Sequence, residues 1–167
     1  MEVKSGPGSE SPHGSPAYDR PVVLFLLERV APSPVDQVWR RLTTWERHGD
    51  VVPLTRITVV TPPPTREGTV FVARSGIGRL AFDDPMEVMT WRPPADGLSG
   101  MCYLLKRGTF VTGWAEIAVH PYGNAGSRVV WQEELRVRRL PDAFDRPLAW
   151  VARWMFGRAV DGLLKPS

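Results

Sequence analysis

The run from residue 145 to residue 165 constrains the fold more than any other stretch. Leu148, Val151, Ala152, Met155, Ala159, Gly162 and Leu163 recur at a 3.6-residue period and mark the apolar stripe of a helix. Arg146, Arg153 and Asp161 fall on the opposite side. Asp145 suits an N-cap, Pro147 is tolerated in a first turn whose N–H groups lack partners anyway, and Lys165-Pro166 closes the run. At 1.5 Å per residue such a helix is about 28 Å long, enough to cross a small domain.

The rest of the chain supplies something for that helix to lie on. Residues 1–20 are rich in Gly, Ser and Pro and are expected to be a disordered tail, which leaves 21–167 as a single domain. PVVLFLLERV at 21–30 is a buried strand. Ala31-Pro32-Ser33-Pro34 enters a helix, with Ser33 as N-cap and Pro34 as first helical residue, and Val35, Val38, Trp39 and Leu42 form its apolar face. A second short helix is expected through Trp45 and His48, capped by Thr43 or Thr44 and ended by Gly49. Strands follow at 56–60, 68–75, 80–91, 100–107, 109–119 and 128–138, with an irregularity expected at Asp83-Asp84-Pro85 and a hairpin loop over HPYGNAGS. About seven antiparallel strands, two short helices after the first and one long terminal helix predict an α+β fold with the helix packed on one sheet face.

Alternation separates the two faces. In 128–138, Arg128, Val130, Gln132, Glu134, Arg136 and Arg138 point outward, whereas Val129, Trp131, Glu133, Leu135 and Val137 point inward. In 109–119 the inward set includes Gly113 and Ala115, too small to fill the space beneath a helix, so a cavity is expected there. Its expected lining is Phe71, Ala73, Val88, Leu104 and Lys106, then Gly113, Ala115, Trp131 and Glu133, with Leu148, Val151 and Met155 from the helix.

Composition excludes several function classes. The formal charge is +3 with arginines scattered among acids, which is no nucleic-acid footprint. Cys102 is the single cysteine, so an intrachain disulfide or cysteine-rich zinc site is ruled out. His13, His48 and His120 are too separated to suggest a metal site. No apolar run reaches the ~20 residues of a membrane span and the N-terminus is not signal-like, so a cytoplasmic monomer or homodimer without cofactor is expected. Arginine far outnumbers lysine, which suits a GC-rich, bacterial genome.

The element order, together with GTVFVARSG, DPMEVMTW, GTFVTGWAEIAV and RVVWQEELRV, resembles the polyketide cyclase/START/Bet v 1 (SRPBCC) superfamily over residues 22–164. The signature APSPVDQVWRRLTTWERH after the first strand carries much of that resemblance. It implies a helix-grip fold with an elongated apolar cavity between helix and sheet. Where aromatase/cyclases of this superfamily carry a pocket arginine, this chain has Met86, Val88 and Thr90.

Glu133 is the candidate catalytic residue, since an inward carboxyl beside Trp131 is desolvated and suited to acid, base or acceptor roles. The alternative is a structural ion pair with Lys106 or Arg74. Trp131 and Met155 suit a flat or greasy ligand, or plain core packing. His48, at the end of the second short helix, suits a general base near the cavity mouth or, since no partner acid stands at a telling spacing, a solvated loop histidine; SGIG (75–78) reads as a turn rather than a phosphate cradle. Trp150 and Trp154, interleaved with Arg146, Arg153 and Arg158, form a flank that suits a protein partner or peripheral membrane contact, or else folds down over the first strand or the tail. Three readings follow: a carrier or sensor of a hydrophobic small molecule such as a lipid or polyketide, a cyclase/dehydratase-type enzyme using Glu133, or an interaction module using the Trp150/Trp154 flank.

Overall fold

A computed structural model describes residues 22–137 and 145–165, except for the side chains of Val22, Leu80, residues 145–153 and Phe156. The elements in order are β1 (Val22–Ala31), α1 (Val35–Thr43), α2 (Arg47–Val51), β2 (Thr55–Val59), β3 (Val70–Ser75), a 3-10 turn (Gly78–Leu80), β4 (Phe82–Arg92), β5 (Gly100–Arg107), β6 (Val111–Tyr122), β7 (Gly126–Val137) and α3 (Asp145–Leu164). All strand pairs are antiparallel in the sheet order β1-β7-β6-β5-β4-β3-β2. This is the expected α+β helix-grip architecture. The expected tail, 1–20, lies outside the described residues.

Period-two alternation decides the buried face. Trp131, Glu133, Leu135 and Val137 of β7 are buried while Val130, Gln132, Glu134 and Arg136 between them are not. On α1, Val35, Val38, Trp39 and Leu42 are buried together. The described part of α3 buries Gly157, Ala159, Val160 and Leu163, two of which, Gly157 and Val160, lie off the stripe read from spacing. Gly162 permits close approach of α3 to α2, because a Cβ there would lie 2.8 Å from Val51 Cγ1. The C-terminal end of α3 is also tied down by Arg29–Asp161 at 2.7 Å and by Arg41 Nη1 donating to the Leu164 carbonyl at 3.2 Å.

Local signals misplaced several boundaries. Pro34 rather than Ser33 is the N-cap of α1, and neither supplies a capping side chain; the Ser33 hydroxyl accepts from Arg41 instead. Thr43 and Thr44 donate back to the Trp39 and Arg40 carbonyls at the end of α1 rather than capping α2, whose first residue is Arg47 and which runs through Gly49. The irregularity in β4 falls between Val88 and Thr90, not at Asp83-Asp84-Pro85. The β6–β7 hairpin is tighter than expected, since pairing runs to Tyr122↔Gly126.

Candidate functional site

The sheet's inner face and α3 enclose a cavity of about 320 Å³. Phe71 and Ala73 of β3, Met86 of β4, Leu104 of β5, Ala115 of β6 and Leu135 of β7 supply apolar wall, and Met155 closes it from α3. Phe82 and Phe110 face each other at 5.1 Å between ring centroids. Trp45, between α1 and α2, stacks on Phe71 at 4.5 Å and 12°. Its buried Nε1 has no hydrogen-bond partner.

Three charged side chains break this apolar surface. Asp84 of β4, Lys106 of β5 and Glu133 of β7 all lie on the inner face, with side-chain exposures of 10, 5 and 1%. Lys106 Nζ donates to Asp84 Oδ2 at 3.1 Å and lies 3.2 Å from Glu133 Oε1. A further donor of the ammonium faces Met86 Sδ at 3.5 Å. The Trp131 indole N–H donates to Glu133 Oε2 at 3.0 Å. Glu133 Oε1, close to the ammonium but off its hydrogen-bond direction, and Asp84 Oδ1 are buried without a hydrogen bond.

The reach of Lys106 explains the small residues of β6. β5 and β7 are separated by β6, so their backbones are about 9.6 Å apart. Lys106 pairs with Gly113, and Ala115 pairs with Glu133. A bare Gly and a methyl leave room for the four-carbon stem to cross β6. Gly113 is also required by the backbone, since its φ is 136° and a Cβ would collide with the Glu134 carbonyl oxygen.

Electrostatics follow from burial and charge number. Burial raises the Glu133 carboxyl from its ordinary 4.5, with Lys106 opposing. Burial likewise raises Asp84 above 3.8, again opposed by Lys106. Burial acts to lower Lys106, but the two carboxylates outweigh it and leave the ammonium above 10.5. The lysine is therefore charged at neutral pH, whereas each carboxyl holds its proton more tightly than in water. Burial also lowers the imidazole of His48, whose Nε2 is 2.8 Å from the Leu42 carbonyl. That contact requires the proton on Nε2 and leaves Nδ1 an acceptor.

Of the residues expected to line a cavity, the fold gathers Phe71, Ala73, Leu104, Lys106, Ala115, Trp131, Glu133 and Met155. Val88 does not join them. It is fully buried in the packed core. Gly113, opposite Lys106 in the register, is not on the cavity wall; a Cβ there would point at the β7 backbone. The side chains of Leu148, Val151 and Trp150 lie outside the described residues. Arg74 pairs with Asp83 at 3.1 Å on the outer side and takes no part with Glu133. His48 is not a solvated loop residue: its ring lines the cavity, 5.8 Å from that of Trp131. The missed residues include Asp84, Trp45, Met86, Leu135, Phe82 and Phe110. Strand alternation with Met86 would have found Asp84; nothing local marks Trp45 or Phe110 as wall residues.

No protein-family model and no curated protein sequence matches the chain. Solved structures do. The ZhuI aromatase/cyclase of Streptomyces sp. R1128 is 13% identical, with 86% of this chain and 92% of that chain covered at a TM-score of 0.63. A START superfamily protein of Mycobacterium smegmatis is 10% identical over 84% and 96%, at 0.64. A norcoclaurine synthase mutant of Thalictrum flavum, in complex with a transition-state analogue, is 13% identical over 86% and 94%, at 0.57. The fold is the Bet v 1-like helix-grip. At these identities the likeness concerns the helix-grip fold, and the cavity chemistry is this chain's own. Among the described residues no helix is long and apolar enough to cross a membrane.

Proposed function

We propose that this protein binds a hydrophobic small molecule, of lipid or polyketide type, in the cavity between α3 and the sheet, and acts as a carrier or sensor in the cytoplasm. The observation that supports this reading is the cavity itself: about 320 Å³ with a mainly apolar and aromatic wall, a volume within the range of small-ligand sites. Native mass spectrometry of protein purified from its own host tests it. A bound apolar species is expected, and repeated failure to find or load one overturns the reading.

A second reading is favoured by Glu133, a buried carboxyl on the cavity wall whose proton affinity is raised. In that reading the protein is a cyclase/dehydratase-type enzyme with Glu133 as acid or base and Lys106 holding it in place. Glu133→Gln then abolishes turnover of a polyketide-type substrate and leaves the thermal midpoint nearly unchanged. Full turnover by the variant would sink it. Of the docking flank in the third reading, Trp154 and Arg158 are among the described residues: Trp154 is 55% exposed, with the Arg158 guanidinium 5.3 Å from its ring.

A further inference from the structure

The charged cluster in the cavity is unbalanced, and the imbalance bears on what enters. Asp84 and Glu133 carry two acidic groups against the single ammonium of Lys106, all three on the wall of one cavity. Among the described residues His48 is the one other titratable group on that wall, and it is neutral because burial opposes its charged form. Met155, the described contribution of α3 to the wall, is uncharged. Fully ionised, the cluster therefore holds one surplus negative charge away from water, which is costly unless a cation or proton meets it. Hydrogen bonding shows the same deficit. The cluster lacks donors rather than acceptors: Asp84 Oδ1 is buried without a hydrogen bond, and Glu133 Oε1 has beside it only the Lys106 ammonium, 3.2 Å away and shared with Asp84 Oδ2.

From this geometry we infer that the cavity selects an apolar amine, whose ammonium meets the Glu133 carboxylate while its apolar body lies among Trp131, Phe71 and Leu104. The inference rests on the ligand-binding reading above and gives that ligand its polar group. An ammonium supplies both the missing charge and the missing donors. A carboxylate or phosphate amphiphile brings a second surplus negative charge and no donor, so it is rejected. A neutral alcohol supplies a donor without the charge and is intermediate. The Trp131 indole N–H already occupies Glu133 Oε2, so the ammonium is directed to Oε1. Trp45 Nε1 is a neutral donor and leaves the charge count unchanged.

Three probes of one skeleton test this: 1-naphthylmethylamine, 1-naphthylmethanol and 1-naphthoate, titrated calorimetrically into the full-length protein at pH 7. The amine is expected to bind at least tenfold more tightly than the carboxylate, with the alcohol between. Glu133→Gln removes the surplus charge, so the amine weakens about tenfold, the alcohol changes less than about twofold, and the amine-over-carboxylate preference collapses. Amine affinity in the wild type is also expected to rise from pH 5 to pH 8, as the cluster releases the proton with which the ammonium competes; alcohol affinity is not. If Glu133→Gln fails to fold, Asp84→Asn carries the same expectation. Carboxylate binding equal to amine binding, or an amine preference that survives in the folded variant, overturns the inference and leaves the ligand-binding reading standing. Failure of all three probes and of 1-methylnaphthalene overturns both.

Discussion

Asp83 and Asp84 are adjacent in β4, and each pairs with a basic residue, yet the two pairs differ in kind. Asp83 projects to the outer face and meets Arg74 at 3.1 Å, with both side chains more than half exposed. Asp84 projects inward and meets Lys106 at the same distance, with both almost fully buried. In water the first attraction is screened and offset by side-chain ordering, so it contributes little. In the cavity wall each charge depends on its neighbours because no solvent replaces them. One step along a strand thus turns an optional surface contact into an obligatory cluster.

The largest expected effect breaks the inner pair. Lys106→Met leaves two buried carboxylates facing each other and should cost about 3–5 kcal/mol at pH 7, read as a fall in chemical-denaturation stability. Much of that loss should return on acidification, as the carboxyls, raised by burial, take up protons. Next comes Gly113→Ala, which must move the β6 backbone between Lys106 and Glu133. It should cost about 1–3 kcal/mol because of the positive φ alone, with further loss from the collision with Glu134.

Removing one surplus carboxyl is expected to be far milder. Glu133→Gln leaves a balanced Asp84–Lys106 pair and an acceptor for Trp131, and should change stability at pH 7 by less than about 1 kcal/mol. Its signature is in pH dependence. A carboxyl with a raised pKa contributes stability that is full below its ordinary value of 4.5 and is lost as pH rises through the raised value. The wild type should therefore lose stability relative to Glu133→Gln as pH rises above 4.5 and through the raised value. The lowered pKa of His48 acts in the opposite sense, adding stability above its ordinary 6.5 that is lost on acidification, but it is common to both proteins and cancels in the difference. The smallest effect belongs to the outer pair: Arg74→Ala should cost less than about 0.5 kcal/mol, and less still in high salt. An Arg74→Ala loss as large as that of Lys106→Met would erase the contrast between the faces.

How much of this was legible beforehand differs between fold and site. Alternation in β7 placed Glu133 and Trp131 inward, and the same rule put Lys106 with Leu104. The ion pair Lys106–Glu133 was among the alternatives on that basis. Asp84 was not, because Asp-Asp-Pro reads locally as a break in a strand, and its role depends on Lys106, 22 residues away. Gly113 and Ala115 were expected to leave space beneath a helix. The structure uses that room partly for the stem of Lys106, a reason that appears only when β5, β6 and β7 are side by side. His48 reads as a solvated residue because nothing in its neighbourhood announces that α2 turns its ring inward beside Trp131.

By itself, then, the sequence determined the elements, their order and the facing of most side chains, since periods of 2 and 3.6 residues are properties of local backbone geometry. Tertiary structure decided which inward charges meet, which are left over, and where the core stops and the cavity begins. Those outcomes depend on strand register and on packing between residues far apart in the chain. A single inward carboxylate such as Glu133 looks the same in sequence whether it is paired, orphaned or surplus; only the count of charges around it tells which.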